Sequence, residues 1–70
     1  MAVRTGTKIQ NMRREASSMF ISWSNDADTW FVFWEKDGYG FHGHAHNLDD
    51  ALDMAREEGE RHERMRSDLM

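Results

Sequence analysis

The sequence predicts an α+β fold, a three-stranded antiparallel meander packed on a C-terminal helix, with a short N-terminal helix as an optional first element (αβββα). Three observations predict it. SMFISWS (18–24) and TWFVFWE (29–35) are rich in β-branched and aromatic residues and are separated by the turn-forming NDAD (25–28). A Lys36-Asp37-Gly38 turn leads into a third strand from Tyr39 to His46, and Asp-Gly favours a tight hairpin. NLDDALDMAREEGERHERMRSDL (47–69) then carries apolar residues at helical spacing. Successive strands joined by turns this short must run antiparallel.

At the N-terminus, Ile9, Met12 and Ala16 stand at i, i+3 and i+7 between Thr7 and Ser17, a weak amphipathic pattern. A disordered basic tail is the equal alternative, and residues 1–6 are expected to be flexible. In the C-terminal segment Asn47 can cap the helix, with Asp50 three residues on in a capping-box-like position. Asp49, Asp50 and Asp53 lie in the first turns, where the helix dipole favours acids. Leu48, Leu52, Ala55, His62 and Leu69, with Ala51 and Met65, make the apolar stripe. Gly59 is expected to interrupt this helix, with fraying beyond it.

Seventy residues allow one domain, 1–70. A chain of this length buries only about 60% of its extended surface. It has no cysteine, so disulfides and thiolate zinc sites are excluded. Stability must come from packing of three Trp, four Phe and one Tyr, from oligomerisation, or from a histidine–carboxylate metal site. MAVRTGTKIQNMRRE has no apolar signal-peptide region, and no apolar run approaches the roughly 20 residues that cross a bilayer. A soluble, cytoplasmic protein without a membrane partner is expected.

Charge is unevenly placed. Residues 1–14 hold Arg4, Lys8, Arg13 and Arg14 and no acid, a charge of +4. Residues 47–60 hold Asp49, Asp50, Asp53, Glu57, Glu58 and Glu60 against Arg56, a charge of −5. A dipolar molecule follows, whose acidic part repels nucleic acid and attracts basic surfaces.

Alternation along a strand sorts its side chains onto two faces. Strand one sets Met19, Ile21 and Trp23 against Phe20, Ser22 and Ser24. Strand three sets Tyr39, Phe41, Gly43 and Ala45 against Gly40, His42, His44 and His46. The central strand is apolar on both sides, with Trp30, Val32 and Trp34 on one and Phe31 and Phe33 on the other. One helix covers one face, so aromatics on the second are exposed, buried in a partner, or covered by the N-terminal segment. A protein-binding or self-association face is the expectation. The alternative is an N-terminal helix that packs there and completes the core.

His42, His44 and His46 would project from one strand face about 7 Å apart. Two such imidazoles can share a metal ion, with Glu35 or His62 as a third ligand, so a metal site is a minority reading. Rings of this kind beside Phe and Trp residues also suit an interface, and histidine would make association pH-sensitive. The sequence holds no nucleophile elbow, phosphate loop or paired-carboxylate motif, so no enzymatic activity and no cofactor are expected.

The order helix, three antiparallel strands, helix resembles the topology of double-stranded RNA-binding domains. WFVFWEKDGYGFHGHAHNLDDALDMAREE also resembles hairpin–helix modules of small bacterial and phage proteins. The RNA-binding family implies phosphate-holding lysines at the start of the second helix. Leu48-Asp49-Asp50-Ala51-Leu52-Asp53 stands there instead, and carboxylates disfavour direct nucleic-acid binding. In size, acidity and arrangement, residues 18–66 resemble small phage-encoded inhibitors of host defence, the anti-CRISPR proteins, which cover or mimic nucleic-acid sites with carboxylates.

That resemblance implies a non-enzymatic inhibitor of a host protein or ribonucleoprotein complex. The expected partner-binding residues are Asp49, Asp50, Asp53, Glu57, Glu58 and Glu60 on the helix, and Trp30, Phe31, Phe33, Trp34, His42, His44 and His46 on the sheet. A homodimer through the sheet face is a further expected association. The alternatives are a nucleic-acid-binding module using Arg4, Lys8, Arg13 and Arg14, or a metal-binding protein using the three histidines.

Overall fold

A computed structural model describes residues 4–69, with side chains through residue 67. The elements run α1 (Thr5–Glu15), β1 (Ser18–Ser24), β2 (Thr29–Lys36), β3 (Tyr39–Ala45) and α2 (Leu48–Leu69). The strands form one antiparallel sheet in the order β1-β2-β3, so the αβββα arrangement is the one the sequence predicts. The turns explain the meander. Asp37 and Gly38 both take positive φ, 55° and 84°, as a two-residue hairpin turn requires. In the β1–β2 turn the Ala27 N–H donates to Ser24 Oγ, the Thr29 hydroxyl donates to the Ala27 carbonyl, and Asp28 takes φ 51°. Strand β3 ends at Ala45, one residue short of the expected His46.

Helix α2 begins with a reciprocal cap. The Asp50 N–H donates to Asn47 Oδ1 at 2.9 Å, and Asn47 Nδ2 donates to the Asp50 carboxylate at 3.0 Å. The helix is continuous through Gly59, contrary to the expected break. Packing explains the glycine. A Cβ at Gly59 would stand 2.6 Å from Cζ2 of Trp34. Trp34 is 3% exposed, and its indole N–H donates to the Ala55 carbonyl at 2.9 Å. Across the contact, a Cβ at Gly43 would meet the Ala51 carbonyl oxygen at 2.4 Å and the Ala55 nitrogen at 2.5 Å. Ala51, Ala55 and Gly59, spaced by four, thus form a low ridge that settles onto the sheet. Val32, Trp34, Phe41 and Leu52 fill the space beside it.

Further along α2 the predicted stripe holds as far as His62 and departs at Met65. His62 stacks on Tyr39 and Phe41, with ring centroids 4.3 and 5.3 Å away, and Arg66 lies 5.4 Å over the Tyr39 ring. Met65 is 59% exposed instead of buried, and the side chain of Leu69 lies outside the described residues. Length is the reason: 22 helical residues extend about 33 Å, while seven strand residues extend about 23 Å, so the last turns overhang the sheet.

The N-terminal segment is a helix and not a tail, and it starts at Thr5, two residues earlier than predicted. Thr5 and Gly6 of the segment expected to be flexible are therefore helical, and residues 1–3 lie outside the described residues. Met12 is buried with Val32, Trp34 and Leu52, and Ile9 and Ala16 pack against them. Helix α1 thus lies beside α2 on the same sheet face. The expectation that it could close the second face does not hold.

Lys36, at the end of β2, ties both helices to the sheet. Its ammonium bonds the Glu63 carboxylate and lies 3.8 Å from Glu15. The bond to Glu63 is the main cause that raises the Lys36 ammonium above its ordinary value; desolvation opposes it and the Glu15 charge assists. The same bond is the main cause that lowers the Glu63 carboxyl.

Two outcomes follow for stability. Gly→Ala in an exposed helix stabilises by about 1 kcal/mol, but Gly59→Ala is expected to destabilise because the methyl meets Trp34. Gly43→Ala, which meets helix backbone, should lose about 3 kcal/mol; urea midpoints of both variants against wild type check the signs. The second concerns pH. A depressed Glu63 stabilises above its ordinary carboxyl value of 4.5, and that contribution is lost as pH falls through the folded value. A raised Lys36 stabilises below its ordinary 10.5, and that contribution is lost as pH rises through the folded value. Lys36→Met should therefore flatten the fall in urea midpoint between about pH 5 and 3, the range of carboxyl titration.

Candidate interaction surface

The register builds the second sheet face from three rows that cross all three strands, Ser18–Glu35–Gly40, Phe20–Phe33–His42 and Ser22–Phe31–His44, with the pair Ser24–Thr29 beyond them. Helices α1 and α2 both pack on the opposite face, so these rows are open. Phe20 is 64% exposed, Phe31 43% and Phe33 41%. The surface grades across the strands from serines on β1, through phenylalanines, to imidazoles on β3. The Phe33 ring lies over Gly40, where a Cβ would meet Cζ at 2.8 Å. Phe31 and His44 stand 6.0 Å apart with planes 33° from parallel. Glu35 is the one carboxylate in the rows, and the Ser17 hydroxyl donates to its carbonyl at 3.1 Å. An apolar centre with few charges and polar flanks is what the middle of a protein contact looks like.

Of the aromatic and histidine residues expected to bind a partner, Phe31, Phe33, His42 and His44 come together here. Trp34 does not: it belongs to the core under α2. Trp30 shares that covered face, half-buried and 5.3 Å from Trp23. The correction is one of parity, since even-numbered residues of β2 face the helices. His46 stands beyond the end of β3, where Nδ1 lies 2.9 Å from the Asp28 carbonyl and Nε2 3.4 Å from its carboxylate. Phe20 was absent from the expected set. Parity placed it on the mixed face of β1, and only the pairing with Phe33 joins that face to the other phenylalanines.

The metal reading loses its geometry. His46 sits at a turn, apart from His42 and His44, and His62 lies under the opposite face against Tyr39 and Phe41. Among the described residues no three His, Cys, Asp or Glu side chains gather to hold an ion.

The six carboxylates of α2 do not form one acidic face. Asp49 and Asp53 point to α1, where Lys8 Nζ lies 3.8 and 3.1 Å from them and the Thr5 hydroxyl donates to Asp49. Glu60 lies on the same side, 3.9 Å from Arg56, which also reaches Asp53 at 3.5 Å. Asp50 is held in the Asn47 cap. Glu58 turns to the β3 edge, where it accepts the backbone N–H of His42 at 3.0 Å and lies 3.8 Å from that ring. Glu57 is exposed, with no ion pair among the described residues. One cation of the basic head, Lys8, and two acids of the acidic segment, Asp49 and Asp53, therefore meet in an internal contact that takes up part of the dipolar charge. Lys8 is thus engaged, leaving Arg13 and Arg14 of α1, and Arg4 just before it, exposed.

No family model matches the sequence, and no curated protein or solved structure matches it. No helix among the described residues is long and apolar enough to cross a membrane.

Lys8→Gln removes the α1 cation from Asp49 and Asp53 and leaves Asp53 only Arg56. A loss of about 1 kcal/mol in urea unfolding is expected for this half-buried pair, together with faster amide exchange confined to α1. Unchanged exchange in α1 would show that the charges do not hold it.

Proposed function

We propose that the chain is a non-enzymatic protein-binding inhibitor whose contact surface is the open sheet face. The observation that carries this reading is the exposure of Phe20, Phe31 and Phe33 together on a face that neither helix covers. Apolar rings in a contiguous patch are costly to leave in water, and such patches mark association sites. Histidines beside them add hydrogen-bonding capacity with few rotamers to freeze. The partner that best fits a small acidic protein is a host protein or ribonucleoprotein complex with a basic, nucleic-acid-handling surface, as in CRISPR-type defence. The electrostatic half of that contact rests on Glu57 and Glu60, because Asp49, Asp50, Asp53 and Glu58 have internal roles.

The test is capture of partners from host lysate by the tagged protein, with Phe20→Thr/Phe31→Thr as the comparison. Threonine keeps strand propensity, so the melting temperature should hold while partner affinity falls tenfold or more, about 1.4 kcal/mol. Equal capture by both proteins removes the sheet face from the reading. Glu57→Lys/Glu60→Lys tests the charge contribution separately: unchanged affinity at low salt removes it and leaves the apolar contact standing.

A further inference from the structure

The two edges of the sheet differ. On β3 the N–H of His42 points away from β2 and is taken by the Glu58 carboxylate. Bonded and non-bonded pairs alternate across an antiparallel ladder. Phe41, Gly43 and Ala45 therefore exchange bonds with Trp34, Val32 and Trp30. Phe33, Phe31 and Glu35 then turn theirs toward Phe20, Ser22 and Ser18 of β1. The Ser17 N–H on the Glu35 carbonyl at 2.7 Å agrees with that phase. The backbone groups of Met19, Ile21 and Trp23 consequently point outward from β1. Among the described residues nothing bonds to them.

Natural edges are blunted by charge, proline, a bulge or a cover. Glu58 and α2 serve β3. Strand β1, SMFISWS, has no charged residue, no proline and no glycine.

We propose that the β1 edge is a strand-pairing site and that its occupant is a second copy of this chain, β1 against β1, antiparallel about Ile21. The strand is seven residues long with Ile21 at its centre, so pairing Ile21 with itself uses all of it. Met19 then faces Trp23 of the second copy, a favourable sulfur–aromatic pair. Phe20 faces Ser22, and Ser18 faces Ser24. Every outward N–H meets an outward carbonyl, and the odd residues of both copies stay on the helix-covered side. A strand without charge brings no like-charge repulsion to the contact, although the whole chain is acidic. The product is a closed two-fold dimer with one six-stranded sheet, whose open face carries the phenylalanines of both copies. The inference stands on the backbone of β1 and does not depend on what binds the open face. Pairing along one strand buries less area than a standard interface, so the dimer should dissociate in the micromolar range or above.

Chemical synthesis of the full chain with an N-methyl group on Ile21 removes the central donor and blocks approach to the edge without changing a side chain. Sedimentation over about 10 μM to 1 mM spans the expected affinity range. The wild type should pass from monomer to dimer, with amide exchange at Met19, Ile21 and Trp23 slowing as concentration rises and that at Phe20 and Ser22 unchanged. N-methyl-Ile21 should weaken association at least tenfold at an unchanged melting temperature. Phe31→Thr, on the open face, should dimerise like wild type. A wild type that stays monomeric to the top of the range overturns the proposal. So does a dimer indifferent to the N-methyl group or abolished by Phe31→Thr, which would place the contact on the sheet face. If the methylated chain does not fold, the exchange pattern of the wild type decides alone: uniform or absent protection at the three amides overturns the proposal.

Discussion

The rest of the structure depends on how closely α2 lies on the sheet. Gly43 on β3 and Ala51, Ala55 and Gly59 on α2 remove side-chain bulk where backbone meets backbone, and Trp34 fills the margin of that contact. The indole is fixed by its bond to the Ala55 carbonyl, so a large buried residue of the core is also oriented by polarity. With α2 seated over β3 and β2, space is left on the same face for a second helix beside it. Met12, Ile9 and Ala16 occupy that space.

Where α1 docks decides where the charges go. Its Lys8 and Thr5 meet Asp49 and Asp53, a complementary contact between neighbouring helices that takes up part of the charge asymmetry of the chain. The outward consequence is a molecule whose chemically distinctive region is its least charged one. Serines, phenylalanines and imidazoles on the open face offer shape, apolar area and hydrogen-bonding groups with little charge.

The sequence made much of this legible. Element order, strand limits to within a residue, and the antiparallel meander follow from β-rich segments and two turns whose chemistry admits one geometry. The division of β2 into two apolar faces also follows from period-two alternation. What was hidden needed register or distance. Phe20 joins the open face only through its pairing with Phe33, and Trp34 leaves it only once the helices choose their side. Gly59 reads as a helix breaker from propensity, because propensity contains no term for a tryptophan beneath it. The side on which α1 packs is a matter of tertiary competition, for which Ile9, Met12 and Ala16 give a direction but no destination.

The glycine–alanine ridge also carries consequences for descent. A substitution at any one of its four positions is constrained by the other three and by the indole between them. Divergent relatives can therefore change nearly every exposed residue while keeping a spaced signature, W-x8-G-x7-A-x3-A-x3-G, which here runs from Trp34 to Gly59. Kinship for this chain would then be read in the rhythm of its small residues sooner than in overall identity.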